Sequence, residues 1–403
     1  MIDAHRIKKD FPIYENNPKF VYLDSTATSL KPIAVINKIN EYYTRYSANI
    51  FRGVYDISEQ ATAEYEETRV VIKSFINASS EQEIIFTRNT TESINLFVHG
   101  IQGSLSTGNE IATTIAEHHS NFVPWQQLCK DMGMQFVVLK DIDPEKLEDS
   151  ISSKTKVLTI TYVSNVLGTT NPIKEIIKEA KRINPDIIVL VDGAQAVPHI
   201  KIDVQDLGCD AFAFSSHKML GPTGVGVLWV RQELQKKLTS YQYGGEMIRR
   251  VTVEHTDFAE GPHRFEAGTP HISGVIALKE AIHYLETVGL EKIHTHEKIM
   301  AQYCYDSLIK EFDEQIHIIG PQKRQSGIVA FTFEGIHAHD VAQLLNEDNI
   351  AVRAGHHCAM PLHEFLGVDA SIRASFYIYN DKEDVDKLVE SLKRSKRIFT
   401  IKK

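Results

Sequence analysis

Lys218 occupies an unusual position in the sequence. Residues 211–214 are apolar throughout, which predicts a buried strand. Ser215, His217 and Lys218 follow this strand, and a glycine-containing turn comes only after the lysine. Ligands of open α/β sheets bind beyond the carboxyl ends of the strands, and a lysine amine at such a place can form a Schiff base with an aldehyde. The chemistry of this lysine therefore depends on what lies at the neighbouring strand ends.

Polar residues follow three other predicted strands at the same end. They are Thr90 and Thr91 after EIIFT, Asn165 after KVLTITYV, and Asp192 and Gln195 after IIVLV. Taken singly, each also fits a structural role, such as a helix cap, and Lys218 could extend to solvent. Because the carboxyl ends of parallel strands meet at one edge of a sheet, their shared position predicts a common binding site.

Pyridoxal phosphate is the aldehyde cofactor that fits this set of residues. Lys218 would hold it as an imine, and Asp192 would keep its ring nitrogen protonated so that the ring can accept electrons. Gln195, three residues after Asp192, can reach the ring hydroxyl, and His118 of EHHSN can stack on one ring face.

The cofactor phosphate would bind where hydroxyl and N–H donors meet. Helix N-termini bind anions, and TTESINLFVHGI opens a predicted helix with Thr90 and Thr91. Ser215 and His217 flank Lys218 on its N-terminal side and add donors. These four residues are the predicted phosphate ligands.

A second reactive group is Cys358 in the segment AVRAGHHCAMPL. Gly355 predicts a loop that bends, and the adjacent histidines together with Arg353 would favour a thiolate. An inert buried thiol is the alternative. The remaining cysteines lie in helical or strand patterns and are predicted to be packing residues: Cys129, Cys209 and Cys304.

The pair of histidines before Cys358 is not predicted to bind a metal. Adjacent residues rarely converge on one ion, and no second cluster in the sequence has zinc spacing. Fifteen residues further on, Arg373 interrupts the apolar run IRASFYIYN. An arginine in such a strand often receives a carboxylate through two hydrogen bonds, although a structural salt bridge is the alternative.

Composition limits the class of protein. The 403 residues are 42% apolar and carry 44 basic against 53 acidic side chains, a net charge of −9. This balance argues against nucleic acid or an anionic membrane as a partner, and no apolar stretch approaches the ~20 residues of a membrane span. The start of the chain lacks an apolar signal region, and the cysteines are not closely paired. A cytoplasmic protein is therefore expected.

The order of predicted elements indicates two domains. Residues 156–195 read as a strand, a helix and a second strand, typical of an α/β sheet. After about residue 283 the pattern changes to a long helix near 290–312, strands near 327–334 and 350–353, and a final helix from about 382. The predicted large domain spans 18–282, and the smaller α+β domain combines 1–17 with 283–403.

Five motifs together resemble one family: DGAQAVPH, SSHKMLGPTGVGVLWV, GGEMI, FEAGTP and RAGHHCAMPL. They look like those of the SUF-type (group II) cysteine desulfurases, within the class V aminotransferases. The similarity runs from FPIY near residue 11 to YND near residue 380. It implies the fold-type I architecture of pyridoxal-phosphate enzymes, with a mostly parallel seven-stranded sheet in the large domain and a smaller α+β domain carrying the cysteine loop.

The resemblance also implies roles. Lys218, His118 and Cys358 would be catalytic, with Cys358 taking sulfur from L-cysteine as a persulfide and releasing L-alanine. Asn165 and Arg373, with Arg353 beside them, would hold the substrate. The family works as a homodimer in which Thr269 of one subunit reaches the phosphate in the other, and it passes sulfur to a SUF-type acceptor protein for iron–sulfur cluster assembly.

The chain departs from the family pattern in three places, one of which is DSTATS (24–29) where DNAAT is commoner. Phe51 and Tyr55 stand where histidines are usual, and His271 follows AGTP where asparagine is more usual. Two alternatives stay open at this point. One is a selenocysteine lyase, or another lyase or epimerase of this fold, that makes no persulfide. The other is a non-catalytic scaffold, against which the intact lysine, aspartate and cysteine argue.

Overall fold

The structure is a computed structural model that describes residues 2–401, with side chains described up to residue 397. Its contacts divide the chain into two compact units. The larger unit comprises Ala34–Tyr162 and Pro172–Thr287, and the smaller comprises Met1–Ile33, Val163–Asn171 and Val288–Lys403.

The strands are numbered here in chain order. They are β1 (Val21–Tyr22), β2 (Ile84–Thr87), β3 (Glu110–Thr114), β4 (Gln135–Leu139), β5 (Thr155–Thr161), β6 (Ile188–Asp192), β7 (Ala211–Ser215), β8 (Gly226–Val230), β9 (Ile248–Val251), β10 (Thr256–Phe258), β11 (Ile316–Ile319), β12 (Ile328–Phe333), β13 (Ile350–Ala351), β14 (Arg353–Gly355) and β15 (Ser371–Ser375).

The α-helices follow the same convention. They are α1 (Ala4–Lys8), α2 (Pro12–Asn16), α3 (Ile33–Arg45), α4 (Asp56–Phe75), α5 (Thr90–Ile101), α6 (Val123–Met132), α7 (Ile173–Ile183), α8 (Val204–Leu207), α9 (Gln232–Gln235), α10 (Ile272–Val288), α11 (Leu290–Phe312), α12 (Ala338–Glu347), α13 (Met360–Leu366) and α14 (Lys382–Ile401).

The larger unit is built on a seven-stranded sheet with strand order β2-β8-β7-β6-β5-β3-β4. Strands β7, β6, β5, β3 and β4 pair in parallel, whereas β8 is antiparallel to both of its neighbours. The inner strands β7 and β8 are buried at every position, as expected of strands covered on both faces. The predicted α/β class with a mostly parallel seven-stranded sheet is confirmed.

The smaller unit contains an antiparallel sheet with strand order β11-β12-β15-β14 and a separate parallel pair, β1 with β13. Helices α11, α12 and α14 contribute apolar residues to a core shared with this sheet, including Leu308, Val341 and Leu388. The long helix and the final helix begin at the predicted places, Leu290 and Lys382.

The observed units differ from the predicted domain bounds in three segments, one of which is 283–287, which groups with the larger unit. Residues 18–33 group with the smaller unit because β1 pairs with β13. Residues 163–171 also group with it, since Ser326 donates to the Gly168 carbonyl at 2.9 Å. Such pairing between distant segments leaves no trace in local periodicity. Among the described residues, no helix has the length and apolarity needed to cross a bilayer.

Candidate active site

The turn after β6 carries Asp192 and Gln195, both almost fully buried in the larger unit. The Ala194 N–H donates to the Asp192 carboxylate at 2.9 Å, which fixes the turn. Gly193 is required between them, because a Cβ at this position would lie 2.2 Å from the Phe212 ring. The sequence DGAQ therefore holds a carboxylate and an amide together at the strand end.

Asp192 and Lys218 influence each other electrostatically. Burial raises the pKa of the Asp192 carboxyl, and the positive charge of Lys218 acts in the opposite direction. Lys218 ends the short 3-10 helix Ser216–Lys218 after β7 and is half-buried, as is His217. A buried carboxyl with a raised pKa is one that a cationic ring nitrogen would stabilise in its charged form.

The N-terminus of α5 lies beside the end of β7. The Thr90 N–H donates to Ser215 Oγ at 2.7 Å, and the two hydroxyls are 2.6 Å apart. Gly226 on β8 permits this approach, since a Cβ there would lie 2.5 Å from the Asn89 Cα. Thr91 is exposed and its hydroxyl contacts Ser120 Oγ at 2.6 Å. The predicted phosphate ligands Thr90, Thr91 and Ser215 thus lie at the N-terminus of α5, a helix of twelve residues.

His118 lies in a segment that a buried network holds in place. Its Nδ1 accepts the Ser120 N–H at 3.1 Å. The neighbouring Glu117 carboxylate is fully buried, accepts the Thr161 N–H and the Thr114 hydroxyl, and accepts Asn121 Nδ2 at 2.7 Å. Burial raises the pKa of Glu117 to about 8. The role of Glu117 in holding this segment was not predicted from the sequence.

Thr269 is exposed in a loop of the larger unit, and it lines a cavity of about 450 Å³ together with His271. A buried ion pair fixes the start of this loop, because Arg69 donates to Glu266 Oε1 at 2.8 Å. The same carboxylate oxygen accepts the Phe86 N–H. The loop is therefore anchored three residues before Thr269.

Two of the positions that depart from the family pattern are also in the larger unit. Phe51 has a φ of 72°, in the left-handed region that non-glycine residues rarely adopt. Its ring makes edge contacts with Tyr65 and His263. Tyr55 is exposed. An aromatic side chain at position 51 thus has a packing role.

In the smaller unit, Cys358 lies in the loop between β14 and α13. It is exposed, whereas the other three cysteines are buried. Burial raises the pKa of Cys129 to about 11 and those of Cys209 and Cys304 to about 12. His357 and Cys358 have φ values of 51° and 57°, both left-handed. Two consecutive strained residues of this kind persist only where the surroundings enforce them.

His357 does not place a positive charge beside Cys358. Burial, together with the nearby charge of Arg373, lowers the pKa of His357 to about 2. This imidazole is therefore neutral at physiological pH and contributes no positive charge to the loop. The expectation that both adjacent histidines favour a thiolate by charge is wrong for His357.

Arg353 and Arg373 face each other across β14 and β15 and converge on Asp24. Arg353 donates to both carboxylate oxygens, from Nε to Oδ1 at 3.1 Å and from Nη2 to Oδ2 at 2.9 Å. Arg373 is 2% exposed and donates from Nη2 to Asp24 Oδ1 at 3.3 Å. Burial lowers the pKa of Arg373 to about 10. Asp24 was not identified from the sequence, because it lies far from both arginines along the chain.

Asn165 connects Arg373 to the cysteine loop. Its backbone carbonyl accepts Arg373 Nη1 at 3.0 Å, and its side-chain Nδ2 donates to the His357 carbonyl at 2.7 Å. Arg373 Nε is buried and makes no hydrogen bond within the described residues. The structure therefore brings three of the predicted residues together, Asn165, Arg373 and Arg353, near the loop of Cys358.

The residues of the larger unit fit pyridoxal phosphate. The ring nitrogen requires a carboxylate, and Asp192 is a buried carboxyl whose pKa burial raises. The aldehyde requires a lysine, and the phosphate requires a helix start with hydroxyl donors, which α5 provides. Asp192, Lys218, Gln195, Thr90 and Ser215 would be the central contacts.

Comparisons with known proteins give the class. Residues 21–388 match the family Aminotransferase class-V, and the chain belongs to this family. It is 50% identical, over 99% of both chains, to a protein of Halalkalibacterium halodurans named probable cysteine desulfurase. A protein of Staphylococcus aureus with the same name is 45% identical, over 99% of this chain and 98% of its own.

Solved structures of cysteine desulfurases are also similar to this chain. The apo structure of a cysteine desulfurase from Thermococcus onnurineus matches with a TM-score of 0.92 and 37% identity, covering 98% of each chain. The cysteine desulfurase CsdA of Escherichia coli, in an S-sulfonic acid form, matches with a TM-score of 0.91 and 34% identity, covering 99% of each. The predicted family and fold class are confirmed.

Proposed function

We propose that this chain is a pyridoxal-phosphate-dependent cysteine desulfurase. It converts L-cysteine to L-alanine and carries the sulfur as a persulfide on Cys358. The observation that supports this most directly is the exposed Cys358 on a strained loop, in a chain whose other three cysteines are buried. A thiol used for packing needs neither exposure nor a special backbone conformation.

The larger unit would hold the cofactor. Lys218 would bind its aldehyde carbon, Asp192 would face its ring nitrogen and Gln195 its hydroxyl, while His118 would stack on the ring and transfer protons. Thr90, Thr91, Ser215 and His217 would hold the phosphate. When bound, pyridoxal phosphate supplies an electron sink that weakens bonds around the α-carbon of an amino acid.

The smaller unit would bind and desulfurate the substrate. Arg373 would receive the cysteine carboxylate, using the buried Nε that lacks a partner among the described residues. The Cys358 thiolate would then attack the substrate sulfur, so that an S–S bond forms as the substrate C–S bond breaks. The substrate carbon takes up a proton, and cysteine plus enzyme thiol become alanine plus enzyme persulfide.

Three wider features belong to the same proposal. A SUF-type acceptor protein would take the sulfur for iron–sulfur cluster assembly. The active form would be a homodimer that uses Thr269 of the partner chain. The four cysteines are free thiols, as is usual in the reducing cytoplasm, where we place the protein.

Replacing Cys358 tests the proposal. Cys358→Ala should keep the cofactor and its visible absorbance and should lose alanine formation from cysteine, because no nucleophile remains to take the sulfur. Mass spectrometry of the wild type after cysteine should find one additional sulfur on the Cys358 peptide. Borohydride should fix the cofactor to Lys218.

Cys129→Ala is a matched control, since Cys129 is buried, and it should still form alanine. Wild-type alanine formation by Cys358→Ala would contradict the persulfide mechanism. If that variant also turned over selenocysteine at the wild-type rate, a selenocysteine lyase would replace the proposed function.

A further inference from the structure

A chain of three side chains lies beneath the Cys358 loop. His357 Nε2 and His363 Nε2 each lie 2.9 Å from Ser371 Oγ, and His363 Nδ1 lies 3.0 Å from the Ala359 carbonyl. All three side chains are buried. They come from three different places: the loop itself, helix α13 and strand β15. The chain thus connects the elements on both sides of the cysteine.

The donors and acceptors in this chain allow one arrangement of neutral imidazoles. The Ala359 carbonyl can only accept, so His363 Nδ1 carries a proton and its Nε2 accepts. Ser371 has one hydroxyl hydrogen and must donate it to His363. His357 Nε2 must then donate to Ser371 Oγ. Each of these three hydrogen bonds then has one donor and one acceptor, and the donors point along the chain from His357 to Ala359.

A proton added to His363 would reverse this direction. Ser371 would then accept from His363 and donate to His357 Nε2, which would move the His357 proton to Nδ1. That nitrogen is buried and makes no hydrogen bond within the described residues. His357 Nδ1 lacks a partner within the described residues in both arrangements, but the reversed chain would also bury the charge of a protonated His363. The neutral chain is therefore the stable one. Burial also lowers the pKa of His363.

The chain acts on a backbone that needs support. His357 and Cys358 are both left-handed, and such residues are held in place only by their surroundings. Ser371 pairs in register with Gly355 at the end of β14, where the loop begins. The side chain of His357 is thereby tied to β15, and its carbonyl is tied to Asn165.

We propose that His357, Ser371 and His363 are positioning residues that hold Cys358 in the geometry required for sulfur transfer. The proposal rests on the proposed function, because it concerns the step in which Cys358 takes the substrate sulfur. None of the three residues touches the sulfur in this role. Their hydrogen-bond chain determines where the thiol sits.

Ser371→Ala and His363→Leu test this in the holoenzyme, since each breaks the chain at a different member. The kcat for alanine formation should fall about tenfold, because a nucleophile displaced from its attack geometry loses rate steeply. The KM for cysteine should stay close to the wild-type value. Alkylation of Cys358 by iodoacetamide should be no slower than in the wild type, since a small reagent in solution does not need the fixed geometry.

Conservative variants separate hydrogen bonding from packing. Ser371→Thr keeps the hydroxyl and His363→Gln keeps an acceptor, so both should recover most of the lost kcat. Ser395→Ala removes a buried hydroxyl on α14 that donates to the Ser391 carbonyl, and it is the matched control for loss of a buried serine. If Ser371→Ala does not fold, the comparison of His363→Leu with His363→Gln decides.

Two results would overturn the inference. One is wild-type kcat in Ser371→Ala or in His363→Leu. The other is equal loss in the conservative variants, which would show that packing alone matters. Failure of the proposed function looks different, because Cys358→Ala would then form alanine whatever the state of the chain.

Discussion

Arg373 is a residue whose surroundings allow two functions. Its Nη2 contacts Asp24 and its Nη1 contacts the Asn165 carbonyl, as a structural arginine would. Its buried Nε has no hydrogen-bond partner within the described residues, which leaves the guanidinium incompletely satisfied. A buried polar atom without a partner calls for an explanation, and a bound ligand is one such explanation. A substrate carboxylate is the ligand that the proposed function supplies.

Replacing Arg373 by lysine should separate substrate binding from structural support. A lysine keeps the charge but cannot make the planar, two-bond contact. Since hydrogen bonds to charged groups contribute about 1.5–3 kcal/mol, the KM for cysteine should rise by about tenfold or more. Steady-state kinetics of Arg373→Lys measures this. Arg324→Lys, at another buried arginine of the smaller unit, is the control. A lower melting temperature with unchanged KM would favour the structural interpretation.

The segment from Glu117 to Asn121 shows how an element fixes a site residue. The buried Glu117 carboxyl accepts a hydrogen bond from Asn121 and so holds the segment at both ends. His118 lies between them, directly before the 3-10 helix that begins at His119. The cost of this arrangement is a buried carboxyl. Because burial raises the pKa of Glu117 from 4.5 to about 8, the folded protein keeps a proton that the unfolded chain releases.

Glu117 should make stability depend on pH in a defined direction. Its folded pKa is raised, so its contribution is present below the unfolded pKa of 4.5 and is lost as pH rises towards about 8. Glu117→Gln cannot release a proton. The unfolding free energy of the wild type minus that of the variant should therefore fall with rising pH, by at most about 1.4 kcal/mol per pH unit. Urea titrations across this range test it, with the exposed Glu314→Gln as control. A constant difference would contradict the assignment.

The sequence predicts residues at strand and helix ends better than residues whose roles depend on contacts between distant segments. Helix α5 and the ends of β6 and β7 follow from local patterns, so Asp192, Lys218 and Thr90 were found from the sequence. Asp24 and Ser371 were not. Their roles arise because β1 and β15 bring distant segments together, and a buried serine or aspartate has no local signature. The side chain of Asn165 was also assigned to substrate, whereas in the structure it donates to the His357 carbonyl.

At the scale of the whole molecule, the exposed position of Thr269 is the feature that points to assembly. Its loop is anchored by the buried Arg69–Glu266 pair, yet the threonine itself is exposed. An anchored loop that presents a hydroxyl to solvent suits contact with another chain. In a two-fold dimer each subunit would offer its Thr269 to the phosphate site of the other.

Mixing two variants with complementary defects tests this exchange. A Lys218→Ala chain lacks the covalent cofactor ligand, and a Thr269→Ala chain should bind pyridoxal phosphate about tenfold more weakly, through loss of one charge-assisted hydrogen bond. In a mixed dimer, Lys218 of one chain and Thr269 of the other complete one site. After subunit exchange, about one site in four should regain wild-type cofactor affinity at limiting pyridoxal phosphate, if the chains mix at random. Visible absorbance measures the occupied sites, and Thr269→Ser should need no such rescue. If Thr269 served its own chain, no complete site could form in the mixture and the absorbance would not recover.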